Sequence, residues 1–240
     1  MVDDARQSTA ELPADVRDKV FVVIAAYNEA TCIEPVVAEV RRTYANVVVV
    51  DDGSSDDTSG EARRAAAFVL RHPINRGQGA SLQTGIEFAL RRGARFIVTF
   101  DADGQHRVED IAALVAPIWR GDCEIALGSR FLGDTVDMPA GRRRTLRLAV
   151  LFTQIVNRVK LTDAHNGLRA FSRRAAQAID ITLDRMAHAS ELIDQIRSCG
   201  LPFLEVPVRI RYTPYSLAKG QSSRGALRIV LHYVLGRVFQ

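Results

Sequence analysis

Short runs of β-branched and aliphatic residues alternate with amphipathic segments through the first half of the chain, and this alternation constrains the fold most. Each run is short enough for a strand and apolar enough to be buried on both faces of a sheet. The runs are VFVVIA (20–25), VVVV (47–50), RFIVTF (95–100) and CEIAL (123–127). The segments between them have helical spacing and span 34–44, 58–68, 79–92 and 109–120. The pattern predicts an α/β fold, with a mostly parallel, Rossmann-like sheet flanked by helices.

The second half of the chain has a different pattern. Residues 203–212 alternate apolar and polar side chains, which predicts a half-buried strand, and Pro207 favours the edge of the sheet. Helical spacing recurs in four further segments, which are 145–159, 172–179, 189–198 and 224–239. We expect a flexible tail over residues 1–18, one domain over 19–223 and a C-terminal amphipathic helix over 224–240.

The cysteine count and the apolar runs indicate where such a chain works. The three cysteines (Cys32, Cys123 and Cys199) lack metal-type spacing, and an odd count makes a disulfide framework improbable. The polar N-terminus has no apolar core of a signal peptide, and no run reaches the roughly 18–20 apolar residues of a membrane span. We expect a cytoplasmic protein that does not cross the bilayer.

Charge is divided unevenly along the chain. Residues 1–138 hold 15 Lys and Arg against 22 Asp and Glu, a formal charge of −7, and residues 139–240 hold 17 against 6, a charge of +11. Such asymmetry indicates that one half meets an anionic ligand or surface. No nucleic-acid motif accompanies the basic half and few aromatic residues interleave with it, so nucleic acid is not the expected partner.

Acidic residues follow two of the predicted strands. Asp51-Asp52-Gly53-Ser54-Ser55-Asp56-Asp57-Thr58 comes after the second run, and Asp101-Ala102-Asp103-Gly104-Gln105-His106 after the third. Parallel strands present their carboxyl ends at one edge of a sheet, where ligands bind. Clustered carboxylates repel unless a cation compensates, and Mg²⁺ or Mn²⁺ takes one or two of them together with substrate phosphates. The alternative interpretation is turn chemistry and helix capping.

Five motifs together make the chain resemble family 2 glycosyltransferases of the GT-A fold. They are Ala26-Tyr27-Asn28-Glu29, Asp51-Asp52-Gly53-Ser54, Asn75-Arg76-Gly77-Gln78-Gly79, Asp101-Ala102-Asp103-Gly104-Gln105 and Gly128-Ser129-Arg130-Phe131. Within the family the chain looks most like the polyprenyl-phosphate sugar transferases of the dolichyl-phosphate mannose synthase type. The residues behind this are the Gly128–Phe131 motif, Asn166-Gly167-Leu168-Arg169-Ala170-Phe171, Glu191, Glu205-Val206-Pro207-Val208 and Gly220-Gln221-Ser222. Ala26, Gln78 and Leu168 depart from the family pattern, and these departures bear on the acceptor and the sugar.

The resemblance implies a role for each group of residues. It implies a donor half over 19–138, which takes a UDP- or GDP-sugar, and an acceptor half over 139–223. The implied donor-binding residues are Ala26, Tyr27, Asn28, Glu29, Asp51, Asp52, Gly53, Arg76, Gly77, Gln78, Asp101, Ala102 and Asp103. The implied ligands of Mg²⁺ or Mn²⁺ are Asp101, Asp103 and Gln105. The implied acceptor-phosphate residues are Arg130, Arg169 and Lys219, and the implied catalytic residues are Asp103, Arg130 and Glu191. His106, His165 and His188 are expected to be structural or at the rim.

The resemblance predicts an inverting, metal-dependent transfer of sugar to polyprenyl (undecaprenyl) phosphate at the cytoplasmic face of the membrane. A polyprenyl phosphate is already largely ionised near pH 7 and needs no general base. A sugar-hydroxyl acceptor on a lipid-linked glycan would need one, and then Glu191, with Asp194 next, is the candidate. A binding module without chemistry is the third alternative.

Two basic, apolar segments predict contact with a membrane surface. Arg142, Arg143, Arg144 and Arg147 open the apolar helix predicted over 145–159, and residues 224–239 combine a basic stripe with a wide apolar side. Helices of this kind lie in the headgroup plane of anionic membranes. A small membrane-protein partner or a homo-oligomer would cover the apolar side equally well.

Overall fold

The computed structural model describes residues 11–136, 160–163, 166–182 and 188–212, together with Tyr215 and nine single positions between 138 and 154. Helical residues occur among those single positions, inside or next to the helix predicted over 145–159. The helix predicted over 224–239 and the candidates Lys219 and His165 lie outside the described residues. Within the described residues, no helix combines the length and apolar character that crossing a bilayer requires.

Strands and helices alternate through residue 136, as the apolar runs predict. The strands are β1 (Val20–Ala26), β2 (Asn46–Asp51), β3 (Phe68–Arg71), β4 (Phe96–Asp101), β5 (Ile125–Val136), β6 (Arg169–Ser172) and β7 (Phe203–Arg211). The helices are α1 (Ala14–Arg17), α2 (Ile33–Arg41), α3 (Thr58–Arg64), α4 (Gln78–Arg91), α5 (Glu109–Arg120), α6 (Arg173–Ala178) and α7 (His188–Ser198).

The strands form one seven-stranded sheet in the order β3-β2-β1-β4-β6-β5-β7. All neighbouring strands run parallel except β6, which is antiparallel to both β4 and β5. The mostly parallel sheet is therefore confirmed. Since β1, β2 and β4 are parallel neighbours or next neighbours, the motifs that follow them meet at one edge of the sheet.

Hydrophobic clusters cover both faces of the sheet, which explains why its central strands are continuously apolar. On β1, Val20, Val22 and Ile24 face the cluster that contains α2 and α5. Phe21 and Val23 face the opposite cluster, which contains residues of α4, α6 and α7. Full burial of such a side chain contributes about 1.5–3 kcal/mol to the free energy of folding. The buried strands therefore hold the loops at the sheet edge in fixed positions.

Two strands are absent from the prediction. The helix predicted over 58–68 ends at Arg64, and Phe68–Arg71 forms the edge strand β3. Ala66 has a φ of +62°, a left-handed conformation that breaks the helix before this strand. The second missed strand, β6, pairs with both β4 and β5 and occupies the position between them.

The start of the described part of the chain also differs from expectation. Leu12 and Val16 are buried in the core, and α1 lies within the segment predicted as a tail. The predicted tail of residues 1–18 is therefore too long. The prediction for Pro207 is confirmed, because β7 lies at the edge of the sheet and pairs with β5.

Candidate active site

The loops after β1 and β2 are joined by hydrogen bonds into one surface. The Asn28 backbone N–H donates to Ser54 Oγ at 2.9 Å, and Asn28 Oδ1 accepts from the Ser55 backbone N–H at 2.9 Å. The Glu29 backbone N–H donates to Thr58 Oγ1 at 2.9 Å. Asn28 has a φ of +53°, a conformation that asparagine tolerates better than most residues. The structure thus brings together the first two motifs, with Tyr27 half exposed between β1 and Asn28.

Asp51 is fully buried and organises its own loop. Its Oδ1 accepts a hydrogen bond from the Ser54 backbone N–H at 2.8 Å, and its Oδ2 accepts one from the Ser59 hydroxyl. Arg71 Nε lies 3.6 Å from the same oxygen. These contacts stabilise the turn after β2. A contact between Asp51 and a nucleotide remains a prediction.

Asp52 accepts hydrogen bonds from the loop that follows β3, which contains the Asn75–Gly79 motif and is called the glycine loop below. Its carboxylate accepts from the backbone N–H groups of Arg76 at 2.9 Å and Gly77 at 2.6 Å. His72 Nδ1 lies 2.8 Å from Asp52 Oδ1, and His72 Nε2 lies 3.0 Å from Thr84 Oγ1 on α4. Sequence reasoning missed His72, because it follows the strand that the pattern did not predict. A contact between Asp52 and the donor base remains a prediction.

Gly53 is where these two loops touch. Its φ is +73°, and a Cβ built on it would lie 2.9 Å from the Ile74 carbonyl carbon and 3.0 Å from the Asn75 nitrogen. Neither backbone atom can move aside without shifting the glycine loop. A residue with a side chain therefore does not fit here.

Replacing Gly53 with Ala is expected to destabilise the protein by more than the roughly 1–2 kcal/mol that a left-handed backbone costs a residue with a side chain. The measurement is the free energy of unfolding from urea denaturation. Gly93→Ala is the matched control, since Gly93 has a φ of +86° and its Cβ would meet nothing within 4 Å. Equal losses in the two variants would contradict the close contact between the loops.

Asp101 ends β4 and is surrounded by residues from three other segments. His106 Nε2 lies 2.8 Å from Asp101 Oδ2, and Gln78 Nε2 donates to Asp101 Oδ1 at 3.4 Å. Gly167 lies so close to the carboxylate that any side chain there would collide with it. Asp103, two residues further on, accepts from the Gln105 backbone N–H at 3.1 Å. The structure therefore brings the Asn75–Gly79 and Asp101–Gln105 motifs together.

The two acidic residues have different proton affinities. Burial acts to raise the pKa of Asp101, but the charges of His106, Arg169 and Arg130 and the His106 hydrogen bond outweigh burial and lower the pKa below its ordinary value. Burial, followed by the charge of Asp101, raises the pKa of Asp103 to about 6. A cation bound between the two carboxylates would favour the ionised form of both.

His106 lies beside Asp101, and its burial excludes the rim position that was one of the two expectations for it, while the structural role remains a prediction. It is buried, it contacts Asp101, and its ring packs edge-on against Phe100 with centroids 5.3 Å apart. Its Nδ1 is buried and has no hydrogen-bond partner among the described residues. Its place directly after the acidic motif is consistent with this contact.

Two buried arginines, Arg130 and Arg169, act through their charges on Asp101 but differ in their own partners. Arg130 Nε donates to Asp163 Oδ2 at 2.6 Å, and its Nη1 donates to Tyr212 Oη at 2.9 Å. The charge of Asp163 raises the pKa of Arg130 against the opposing effect of burial. Arg169 is 3% exposed, and within the described part of the chain only charges, without a side-chain hydrogen bond, act on its guanidinium.

Among the described residues, Arg169 is influenced by the charges of Asp101 and Asp163 without a hydrogen bond to either carboxylate. Burial lowers its pKa, against the attraction of Asp101 and Asp163. A buried guanidinium that lacks an acceptor is costly unless an anion binds to it. Asn166 Nδ2, three residues earlier, is buried, and the described part of the chain offers it no hydrogen-bond partner. The arrangement can therefore accept an anion beside the acidic pair.

Glu191 lies at the start of α7 and has a defined local role. Its Oε1 accepts from the Thr182 backbone N–H at 2.9 Å and from the Thr182 hydroxyl at 2.6 Å. Glu29, a predicted donor-binding residue, accepts from Tyr215 Oη at 2.6 Å. The roles of Glu191 as a base and of Lys219 as a phosphate ligand remain predictions.

The acidic pair, Asp101 and Asp103, fits a hard divalent ion whose coordination shell is completed by the substrate. Across the described residues, no three His, Cys, Asp or Glu side chains form a complete metal cage. Mg²⁺ and Mn²⁺ commonly bind through one or two carboxylates and take their remaining ligands from water and phosphate. Asp101 and Asp103, with Gln105 beside them, supply that donor set.

Comparison with known families identifies a match across most of this region. The profile of the family described as Glycosyl transferase family 2 matches residues 21–180. A UDP-N-acetylglucosamine–dolichyl-phosphate N-acetylglucosaminyltransferase of Methanococcus voltae is 31% identical over 223 residues, which cover 84% of this chain and 89% of the relative. A polyprenol monophosphomannose synthase of Mycolicibacterium smegmatis is 29% identical over 238 residues, which cover 94% of this chain and 89% of the relative.

Solved structures support the fold independently. Glucosyl-3-phosphoglycerate synthase from Mycobacterium tuberculosis, in complex with Mn²⁺, UDP-glucose and phosphoglyceric acid, superposes with a TM-score of 0.69. The match has 20% sequence identity and covers 92% of this chain and 81% of that one. The predicted GT-A-like α/β fold is confirmed by this likeness and by the order of the strands.

Proposed function

The chain belongs to glycosyl transferase family 2, and from this premise we propose that it transfers a sugar from a UDP- or GDP-sugar to polyprenyl phosphate. Relatives that are named for transfer to dolichyl phosphate and polyprenol phosphate support this acceptor class. The observation that carries the proposal is the buried guanidinium of Arg169, which feels the charge of Asp101 and has no hydrogen bond to a side chain among the described residues. A second phosphate, besides the donor diphosphate, is the anion that such a position would take.

The donor is proposed to bind along the loops after β1, β2 and β4. Tyr27 and Glu29 would hold the base and ribose, and the ordered Asp52 loop would present Arg76 and Gln78 to the donor. Asp101, Asp103 and Gln105 would hold Mg²⁺ or Mn²⁺. When bound, such an ion neutralises the charge that grows on the departing nucleotide diphosphate.

The acceptor phosphate oxygen is the proposed nucleophile. Its attack on the anomeric carbon forms a carbon–oxygen bond while the bond from that carbon to the donor diphosphate breaks, which inverts the anomeric configuration. The second pKa of a phosphate monoester is about 6, so most of the acceptor phosphate has already lost its second proton near pH 7. Arg169 and Arg130 would orient the phosphate, and no side chain needs to remove a proton.

A membrane surface is the proposed location of this reaction. Leu132 and Val136 at the end of β5 are exposed, and so are Arg143 and Arg144 nearby in the sequence. Exposed apolar side chains and exposed arginines in one stretch of sequence suit the headgroup region of an anionic leaflet. We therefore place the protein peripherally on the cytoplasmic face, where its lipid acceptor would be found.

The experiment that tests the proposed function is a donor screen with purified protein. Radiolabelled UDP- and GDP-sugars are incubated with undecaprenyl phosphate and Mn²⁺ or Mg²⁺, and label is counted in the organic phase. At least one donor is expected to label the lipid. Label that is recovered only in water-soluble products would overturn the lipid acceptor.

Glu191→Gln is expected to retain most of the wild-type kcat with polyprenyl phosphate. Glutamine keeps an oxygen that can accept from Thr182, and an ionised phosphate acceptor needs no base. Thr182→Val is the control, because it removes the hydroxyl that donates to Glu191 and leaves the Glu191 carboxylate in place. A fall in kcat of about 10²-fold or more, the effect typical of a lost general base, would instead favour a hydroxyl acceptor.

Mn²⁺ affinity is expected to weaken as the pH falls through about 6, the pKa of Asp103. Below that pH the cation must displace a proton, so the dissociation constant should rise toward tenfold for each pH unit. Calorimetric titration between pH 7.5 and pH 5 measures this dependence. Asp103→Asn should remove it, and a flat profile in the wild-type protein would contradict the assignment.

A further inference from the structure

A carboxylate on the edge strand β7 holds the segment that pairs with Arg130. Glu205 Oε1 accepts from the Thr162 backbone N–H at 2.8 Å, from the Thr162 hydroxyl at 2.8 Å and from the Asp163 backbone N–H at 3.1 Å. Glu205 Oε2 lies 2.9 Å from the Thr162 backbone nitrogen. The Glu205–Val208 stretch carried part of the family resemblance, but neither the sequence nor the proposed function gives Glu205 a role.

The next contact in this chain of hydrogen bonds leads from Asp163 to Arg130. Asp163 Oδ2 accepts from both the Nε and the backbone N–H of Arg130, at 2.6 and 3.1 Å. Asp163 and Arg130 are both buried, so solvent screens their interaction only weakly. Tyr212 Oη accepts from the other side of the guanidinium. The direction of Arg130 is therefore set by Asp163 and Tyr212.

Local structure alone does not hold Asp163 in place. Residues 160–163 form neither helix nor strand, so the backbone N–H groups of Thr162 and Asp163 need acceptors from elsewhere. Glu205 supplies both acceptors from a residue more than 40 positions away. The Ser129 and Thr162 hydroxyls, 2.6 Å apart, join the same segment to β5 directly before Arg130.

We propose that Glu205 is a positioning residue for the acceptor phosphate, acting through Thr162 and Asp163 on Arg130. This inference rests on the proposed function. Glu205 does not touch the donor loops in the described residues, so its loss should affect the acceptor and spare the donor. Ionised acceptors form stronger hydrogen bonds than neutral ones, so Gln should replace Glu only in part.

The test compares Glu205→Leu and Glu205→Gln with wild type in the lipid-labelling assay, using full-length protein. Glu205→Leu is expected to raise the KM for polyprenyl phosphate about 10- to 100-fold, the range typical of lost supporting contacts, with the donor KM unchanged. Glu205→Gln should fall between Leu and wild type. Glu124→Leu is the matched control, because Glu124 accepts from the Ser172 hydroxyl near the opposite end of β5. It should change neither KM.

The outcomes separate this inference from the proposed function. Wild-type protein that fails to label polyprenyl phosphate would overturn both. An active wild type with an unchanged acceptor KM in Glu205→Leu, or with equal rises in both KM values, would overturn the positioning role alone. If Glu205→Leu does not fold, Glu205→Gln decides in the same way, and an acceptor KM equal to wild type would contradict the inference.

Discussion

Replacing Asp103 with Asn is expected to lower kcat by about 10³-fold, the upper range for loss of one preorganised electrostatic contact, without loss of the fold. Asparagine keeps the size of the side chain and can still accept from the Gln105 backbone N–H. It removes one of the two charges that would hold the cation. Since burial and Asp101 raise the pKa of Asp103 to about 6, the charged form opposes folding near pH 7. The melting temperature should therefore stay equal or rise while activity is lost.

Asp122→Asn is the matched control for this prediction. Asp122 is an exposed aspartate two residues after the end of α5, and it forms a surface ion pair with Arg120. The same chemical change there should leave kcat unaltered. Turnover that survives in Asp103→Asn with Mn²⁺ or Mg²⁺ present would refute the assignment of Asp103 as a metal ligand.

Replacing Arg169 with Met is expected to lower kcat/KM for the acceptor by about 10²-fold, in the range for a lost charged contact that orients the reacting group. Methionine fills a similar volume and leaves no buried donor without an acceptor. Burial already lowers the pKa of Arg169, so removal of this charge should not lower the free energy of unfolding. Loss of activity with retained stability is the signature of a residue kept for a ligand.

The control for Arg169→Met is Arg174→Met. Arg174 is an exposed arginine of α6 whose guanidinium lies 3.7 Å from Glu124. Steady-state kinetics with both substrates and urea denaturation apply to each variant. Wild-type kcat/KM for polyprenyl phosphate in Arg169→Met would exclude Arg169 from the acceptor site.

The strands that were predicted from the sequence are those whose own residues form a recognisable apolar run. Val47–Val50 of β2 and Val20–Ile24 of β1 are buried on both faces, and continuous β-branched runs are typical of that environment. β3 is only partly buried at the sheet edge, and its short apolar run, Phe68–Leu70, contains a single β-branched residue and directly follows a helical segment. In β6, Ala170 and Phe171 become strand residues because Val98 and Ile125 lie beside them. Partners so distant in sequence leave no local pattern.

The same distinction applies to the site. The acidic motifs were predictable, because residue type and position after a strand identify them within one segment. The pairs Asp52–His72, Arg130–Asp163 and Thr162–Glu205 join residues 20 to 43 positions apart. Nothing in the spacing of these residues indicates that they meet. Long-range hydrogen bonds of this kind decide how the predicted residues are oriented, and only the folded chain specifies them.

The central claim is that the acceptor is a lipid phosphate whose own oxygen attacks the sugar. The most direct measurement gives purified protein one active labelled donor and either undecaprenyl phosphate or the unphosphorylated alcohol of the same chain length. We predict labelled lipid with the phosphate and none above background with the alcohol. Equal labelling of the two, or labelling of the alcohol alone, would contradict the claim.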